Sequence, residues 1–182
     1  MPPVKNMPPN KIILWLIAVV VFLSACSSKL LNLADEKLQA GDYGAAAALY
    51  EQYLAKGPLY TLIPSRKLGY ALLQSANAAG AVTRFEKILD EFPADPFSTL
   101  YLGLSYLQLG NRDQVLSVWE NYHAAKSSLI AVEIQRQAKR IADSGPVLSA
   151  ETIEQVNLAV AAAISAEGAR RAYNSWRLDD CG

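Results

Sequence analysis

The sequence predicts an all-α fold, a stack of three helix pairs closed by two C-terminal helices. Three observations predict it. Three segments of the chain resemble one another at a spacing of 35 and then 34 residues. Turn-forming Gly, Asn and Pro residues fall at corresponding places in these segments. Apolar residues in the last third recur at helical spacing, with charged residues opposite.

The first 25 residues stand apart. Lys5 and Lys11 precede "IILWLIAVVVFLSA", 14 residues that are almost wholly apolar. As a helix this run would span roughly 21 Å, short of the ~30 Å hydrocarbon core. The segment after it, "SSKLLNLADEKLQAGD", opens an amphipathic helix and carries no basic stop-transfer cluster. The run therefore reads as the apolar region of a secretory leader, and Met7 serves as a start as well as Met1 does. The leader ends in "LSAC", Leu23 to Cys26. This tetrad resembles a bacterial lipobox: a branched apolar residue, two small ones and a cysteine. The resemblance implies that residues 1–25 are a lipoprotein signal peptide and that Cys26, acylated on its thiol, becomes the first residue of the mature chain. Several acyl chains at about 0.8 kcal/mol per buried methylene would hold it at a membrane essentially permanently. Ser27, where Asp is absent, implies the outer membrane, facing the periplasm.

A repeat occupies the middle of the chain. "LADEKLQAGDYGAAAALYEQYLAKGP" (33–58), "LGYALLQSANAAGAVTRFEKILDEFP" (68–93) and "LGLSYLQLGNRDQVLSVWENYHAAKS" (102–127) align without gaps. Leu33, Leu68 and Leu102 coincide, each followed by a small residue, Ala34, Gly69 or Gly103. Leu-Gln pairs recur at 38–39, 73–74 and 107–108, and Gly41, Ala76 and Gly110 mark the turns. Ala46, Ala81 and Val115 come next, then the large aromatics Tyr50, Phe85 and Trp119. Pro58 and Pro93 close two units because proline cannot continue a helix, and the third has Ser127 there. This pattern resembles the tetratricopeptide repeat. Lys37 and Leu72 depart from it, since tyrosine is usual there and only Tyr106 conforms. The resemblance implies a right-handed superhelical stack of three units, at about 27–60, 62–95 and 96–129. Helix pairs are expected at 28–40 and 44–56, 62–75 and 78–92, and 96–109 and 112–125. The small residue after Leu would let the two helices of a unit approach closely, and the aromatic would fill the gap between units.

Residues 129–174 are expected as C-terminal capping helices, with 175–182 a tail. The first, over 129–143, presents Ile130, Ile134, Ala138 and Ile141, with Glu133, Arg136, Lys139 and Arg140 opposite. Gly145 and Pro146 end it. The second, over 150–174, is capped by Ser149 and carries Ile153, Val156, Val160 and Ile164 on one stripe. It is either a further packed helix or half of a fourth, degenerate unit. A terminal repeat needs such a cover for its apolar end.

Composition narrows function. The 182 residues hold 17 Lys+Arg and 17 Asp+Glu; losing Lys5 and Lys11 with the leader leaves 15 against 17, a net charge near −2. The basic clusters are pairs, Lys139-Arg140 and Arg170-Arg171, so no nucleic-acid surface is expected. His123 is the single histidine and reads as a core or half-core residue. No phosphate loop, zinc-protease or serine-hydrolase motif is present, so neither enzymatic activity nor a small-molecule substrate, metal or other cofactor is expected. Cys181 would remain as a free thiol, either bridging to another molecule or merely exposed.

A tetratricopeptide stack offers a concave groove lined by the first helix of each unit. The resemblance assigns to it Leu31, Asp35 and Leu38 from the first unit. From the second it assigns Ile63, Arg66, Tyr70 and Leu73, and from the third Phe97, Leu100, Leu104 and Leu107. The set is mostly apolar and should not stay wet. The expected function is a membrane-anchored adaptor that holds an envelope protein or peptide in this groove during assembly of a secretion, outer-membrane insertion, pilus or flagellar complex. Two alternatives stand beside it: a structural protein whose C-terminal helix fills the groove, and an accessory factor to a cell-wall enzyme. Gln39, Gln74 and Gln108 recur beside the groove, either to bond a bound backbone or as plain surface residues.

Overall fold

Short turns with left-handed backbone cut the chain into helices. The structure, a computed structural model, describes residues 29–122, 128–145 and 147–179, with side chains as far as residue 170. Cys26, His123, Ser127, Pro146 and Cys181 lie outside the described residues. Among the described residues every regular element is an α-helix. They are α1 (29–39), α2 (Tyr43–Leu54), α3 (Leu62–Gln74), α4 (Ala78–Glu91), α5 (Pro96–Gln108), α6 (Arg112–Glu120), α7 (Leu129–Asp143) and α8 (Ala150–Asp179).

The turn inside each pair is built the same way three times. Gly41, Ala76 and Gly110 have φ of 76°, 62° and 72°. In each case the next amide reaches back five residues, Asp42 N to Lys37 O, Asn77 N to Leu72 O and Asn111 N to Tyr106 O, at 2.9–3.0 Å. This is a Schellman closure, and it satisfies carbonyls that the helix end leaves unpaired. The residue that completes it also opens the next helix. Asp42 Oδ1 accepts from Ala45 N, and Asn77 Oδ1 accepts from Gly80 N at 3.0 Å. Between pairs, Asp95 caps α5 by accepting from Ser98 N at 2.9 Å, and Pro96 sits where its missing N–H is not needed.

From α2 onward each helix packs on the next, α5 also lies against α3 and α7, and α1 joins α2 and α3 in a smaller core. Neighbours run antiparallel. Trp119, near the end of α6, donates from Nε1 to Thr99 O at the start of α5, at 3.1 Å. Arg112, at the start of α6, donates to Ile141 O and Ala142 O at the end of α7. The closeness of the pairs rests on their glycines. A Cβ on Gly69 would lie 2.5 Å from the Phe85 ring, and one on Gly103 2.0 Å from the Trp119 indole. Tyr50, Phe85 and Trp119 are each fully buried, Phe85 and Trp119 against the glycines of their own pairs and Tyr50 in the same small core as Ala34. Phe85 also stacks on Tyr101 of the next pair, ring centroids 5.7 Å apart, so the aromatic fills both gaps.

Two differences from expectation stand out. Helix α6 ends at Glu120 rather than 125: Asn121 turns its Nδ2 back to Ser117 O at 2.8 Å and Tyr122 leaves the helix. Helix α8 runs to Asp179, into the segment expected as a tail, since no Gly, Pro or cap interrupts the sequence after Gly168.

The cap packs as its stripes require. Ile130, Ile134, Ala138 and Ile141 of α7 and Val156 and Val160 of α8 are buried in the main core. Glu133 is not on the wet face, however. It is buried, with Arg136 Nη1 against one carboxylate oxygen and Gln137 Nε2 against the other, and Gln137 is buried beside it. The charge is tolerated there because both oxygens have donors.

Candidate binding cleft

The ends of α3 and α5 carry large side chains on the face that α8 approaches. Leu129 N lies 3.2 Å from Glu167 Oε2, and Arg140 donates to Gln155. These two contacts set α8 antiparallel to α7 and bring its first half across α3 and α5. Between them lies an open cleft of about 640 Å³. Helix α3 contributes Tyr70, Leu73 and Gln74, and α5 contributes Tyr101, Leu104, Leu107 and Gln108. Helix α8 forms the facing wall with Ile153, Asn157, Val160, Ala161 and Ile164. A second helix of a fourth unit would belong to the outer layer with α2, α4 and α6. Facing the first helices of the pairs, α8 does not take that place.

No lining residue is charged. Leu73, Leu104 and Leu107 give an apolar floor and Val160 faces them from the wall, all buried. The carboxamides of Gln74, Gln108 and Asn157 sit exposed at the rim. Tyr70 and Tyr101 meet edge to face, centroids 5.4 Å apart, and Tyr43 meets Tyr70 likewise at 6.1 Å. Burial pushes both cleft phenols above the ordinary tyrosine value, helped by Tyr43 at Tyr70 and by Tyr70 at Tyr101. They therefore stay neutral hydroxyls throughout the physiological range.

Of the eleven residues expected in the groove, the cleft brings together Tyr70, Leu73, Leu104 and Leu107. The others are placed elsewhere. Leu31 and Leu38 pack on the smaller core that α1 and α2 share with Leu68 and Ala71 of α3. Asp35 accepts from Tyr50 and from Lys67 Nζ at 2.7 Å, tying α1 to α2 and α3. Arg66 makes a two-pronged pair with buried Asp95 (Nε to Oδ2 2.9 Å), its guanidinium carbon 5.3 Å from the Phe97 ring centroid. That cluster joins the second pair to the third. Leu100 is fully buried in the main core, where α7 packs along α5, and presents nothing to a ligand. Ile63 is exposed at the opposite end of α3 from the cleft.

Sequence reasoning places Gln74 and Gln108 beside the groove, and both line it. Gln39 is exposed and does not. Tyr101 escapes that reasoning, and so do the particular α8 residues of the wall, although a C-terminal helix at the groove is one of its alternatives. The α8 stripe is visible in the sequence, but a stripe of apolar residues does not say which neighbours it meets. Asn157 and Ala161, one turn apart beside Ile153 and Ile164, are the available signal.

A smaller recess of about 170 Å³ lies between the end of α4 and the start of α3, edged by Arg84, Lys87 and Glu91. No group of His, Cys, Asp and Glu that could hold a metal occurs among the described residues. No helix among them is long and apolar enough to cross a membrane. Comparison with protein-family models and with curated proteins returns no match for this chain.

Proposed function

We propose that the chain is a lipid-anchored envelope protein whose three helix pairs are tetratricopeptide units in a right-handed stack, and that it holds an uncharged peptide segment of a client in the cleft. One observation carries the reading: α8 walls the groove without filling it. The apolar floor would take side chains, and the rim carboxamides and phenols would bond backbone groups of a segment lying along the cleft. The recurring Gly69–Phe85 and Gly103–Trp119 contacts support the repeat assignment. Acylation at Cys26 would hold the module at the outer membrane, facing the periplasm, where it would act in the assembly of an envelope complex by raising the local concentration of client.

A photo-crosslinking residue at Gln108, in cells carrying the full chain, tests this. One envelope protein should be captured, and capture should be lost when Ala161→Glu places a charge in the mouth of the cleft. Cys26→Ser should weaken capture by releasing the chain from the membrane. Crosslinks confined to the chain's own α8, unchanged by Ala161→Glu, would instead establish a structural protein with a closed groove.

A further inference from the structure

The antiparallel order of the helices puts the starts of α1, α3, α5 and α7 on one edge of the stack, with the ends of α2, α4 and α6. Residue 29, the first of α1, belongs to that edge. Two contacts fix its neighbours there. Asp35 pairs with Lys67 of the parallel helix α3, which sets residue 29 level with residue 61. Asp35 also receives Tyr50 of the antiparallel helix α2, which sets residue 29 level with residue 56. The start of α1 thus lies beside the α2–α3 link.

That link and the first turn of α3 carry the most exposed apolar side chains of the first two pairs. Leu59 is 94%, Tyr60 85% and Ile63 60% exposed. Nothing within the stack explains leaving them in water, because Leu62 and Pro64, in the same stretch, are drawn inward. Two residues, Ser27 and Ser28, separate Cys26 from residue 29, three steps that reach about 10 Å when extended.

We propose that this corner of the stack rests on the bilayer, with Leu59, Tyr60 and Ile63 inserted into the interfacial layer; the inference rests on the reading of Cys26 as acylated. An anchored Cys26 holds the corner within one short tether of the surface, where even a weak insertion is strongly populated. A tyrosine flanked by aliphatic residues suits the interface, its ring apolar and its hydroxyl wet. Lys29, Lys56 and Lys87 on this edge stand against Glu51, Asp90 and Glu91, so charge does not select the surface and the apolar side chains do. Helix α8 crosses this edge at Glu167, level with Leu129, and continues about 18 Å beyond it at the far end of the stack. The approach is therefore tilted, and contact falls at the corner beside the anchor. Gln74 and Gln108, at the other ends of α3 and α5, put the mouth of the cleft on the side away from the membrane.

The test uses the full acylated chain, extracted from membranes and returned to phosphatidylethanolamine–phosphatidylglycerol vesicles that carry a headgroup-level nitroxide lipid. In a Cys181→Ser background, a bimane is attached at Leu59→Cys or, on the opposite edge, at Asn111→Cys. The label at 59 should be quenched at least about twofold and that at 111 hardly at all, as insertion of ~5–10 Å requires. Tyr60→Ser with Ile63→Ser, both at exposed positions, should relieve the quenching at 59 while the thermal melt stays unchanged. Mass spectrometry of the N-terminal peptide separates the two ways of failing. An acylated chain with equal or no quenching at 59 and 111 overturns the membrane-facing corner alone. A chain that carries no acyl group overturns the anchor and the corner together.

Discussion

Two single residues carry opposite strains, and both can be measured. Gly103 has its α-carbon pressed against the Trp119 indole, and a methyl there would overlap a ring that is fully buried and bonded through Nε1 to Thr99 O. The ring cannot retreat without breaking that bond, so Gly103→Ala should cost about 2–3 kcal/mol, read by urea denaturation. Ala76 is the converse. It occupies the left-handed turn position that Gly41 and Gly110 hold in the other pairs, at φ of 62°. A left-handed alanine costs roughly 1–2 kcal/mol, and the extra freedom of an unfolded glycine takes back about half to one. Ala76→Gly should therefore stabilise the protein by about 0.5–1 kcal/mol, seen as a higher urea midpoint. At this scale the sequence is highly legible. Gly69 and Gly103 are expected to let the helices of a pair approach, and they do; Phe85 and Trp119 are expected between units, and the structure adds that each ring also lies against the glycine of its own pair. Glu133 is not legible. A carboxylate on an amphipathic helix normally faces water; Arg136 and Gln137, three and four residues on, are within reach of its oxygens by spacing alone, but that spacing does not announce that the group is buried.

Helix boundaries are legible for a related reason. Each break is written in residues whose backbone chemistry admits few alternatives: glycine or a tolerated alanine at the left-handed position, Asp or Asn as the following cap, proline between pairs. The end of α6 is harder, since Asn121 is only a weak stop signal. The role of α8 is harder still. Its stripe gives the buried side of the helix but not the partner across from it, and that partner is α7 together with the inner helices α3 and α5. A pair of substitutions on this one helix checks that placement. Val156 is fully buried in the main core, so Val156→Ala should lower stability by about 2 kcal/mol through lost burial and the cavity left behind. Leu158, two residues on, is well exposed, and Leu158→Ala should stay within about 0.5 kcal/mol. Equal effects in calorimetry would mean that α8 is rotated about its axis from this orientation.

The whole molecule has an axis. At one end of the inner helices lies the edge where α1 begins, with Leu59 and Tyr60 beside it; at the other end lies the cleft. From Ile63 to Gln74 along α3 is about 16 Å, so a client in the cleft would stand clear of the surface that the opposite edge faces. The transfer of groove positions from repeat numbering treats the three units as equivalent, and this axis shows where that fails. The first unit's Leu31 and Leu38 are spent on a separate small core, the second and third units supply the floor, and α8 replaces a fourth unit as the facing wall. Arg66 and Asp35, the two charged residues expected to line the groove, are both held in ion pairs within the stack. What remains is a cleft lined by no charged side chain. Attraction between surface charges is screened over roughly 8–10 Å at physiological salt, whereas apolar burial and hydrogen bonding are not. Client capture at Gln108 should consequently change less than about twofold between low and high salt, where a charge-reading groove would lose affinity by tenfold or more. A steep loss with salt would mean that the client is read by charged residues outside the cleft, and Lys67, Arg84 and Lys87 would be the first to replace.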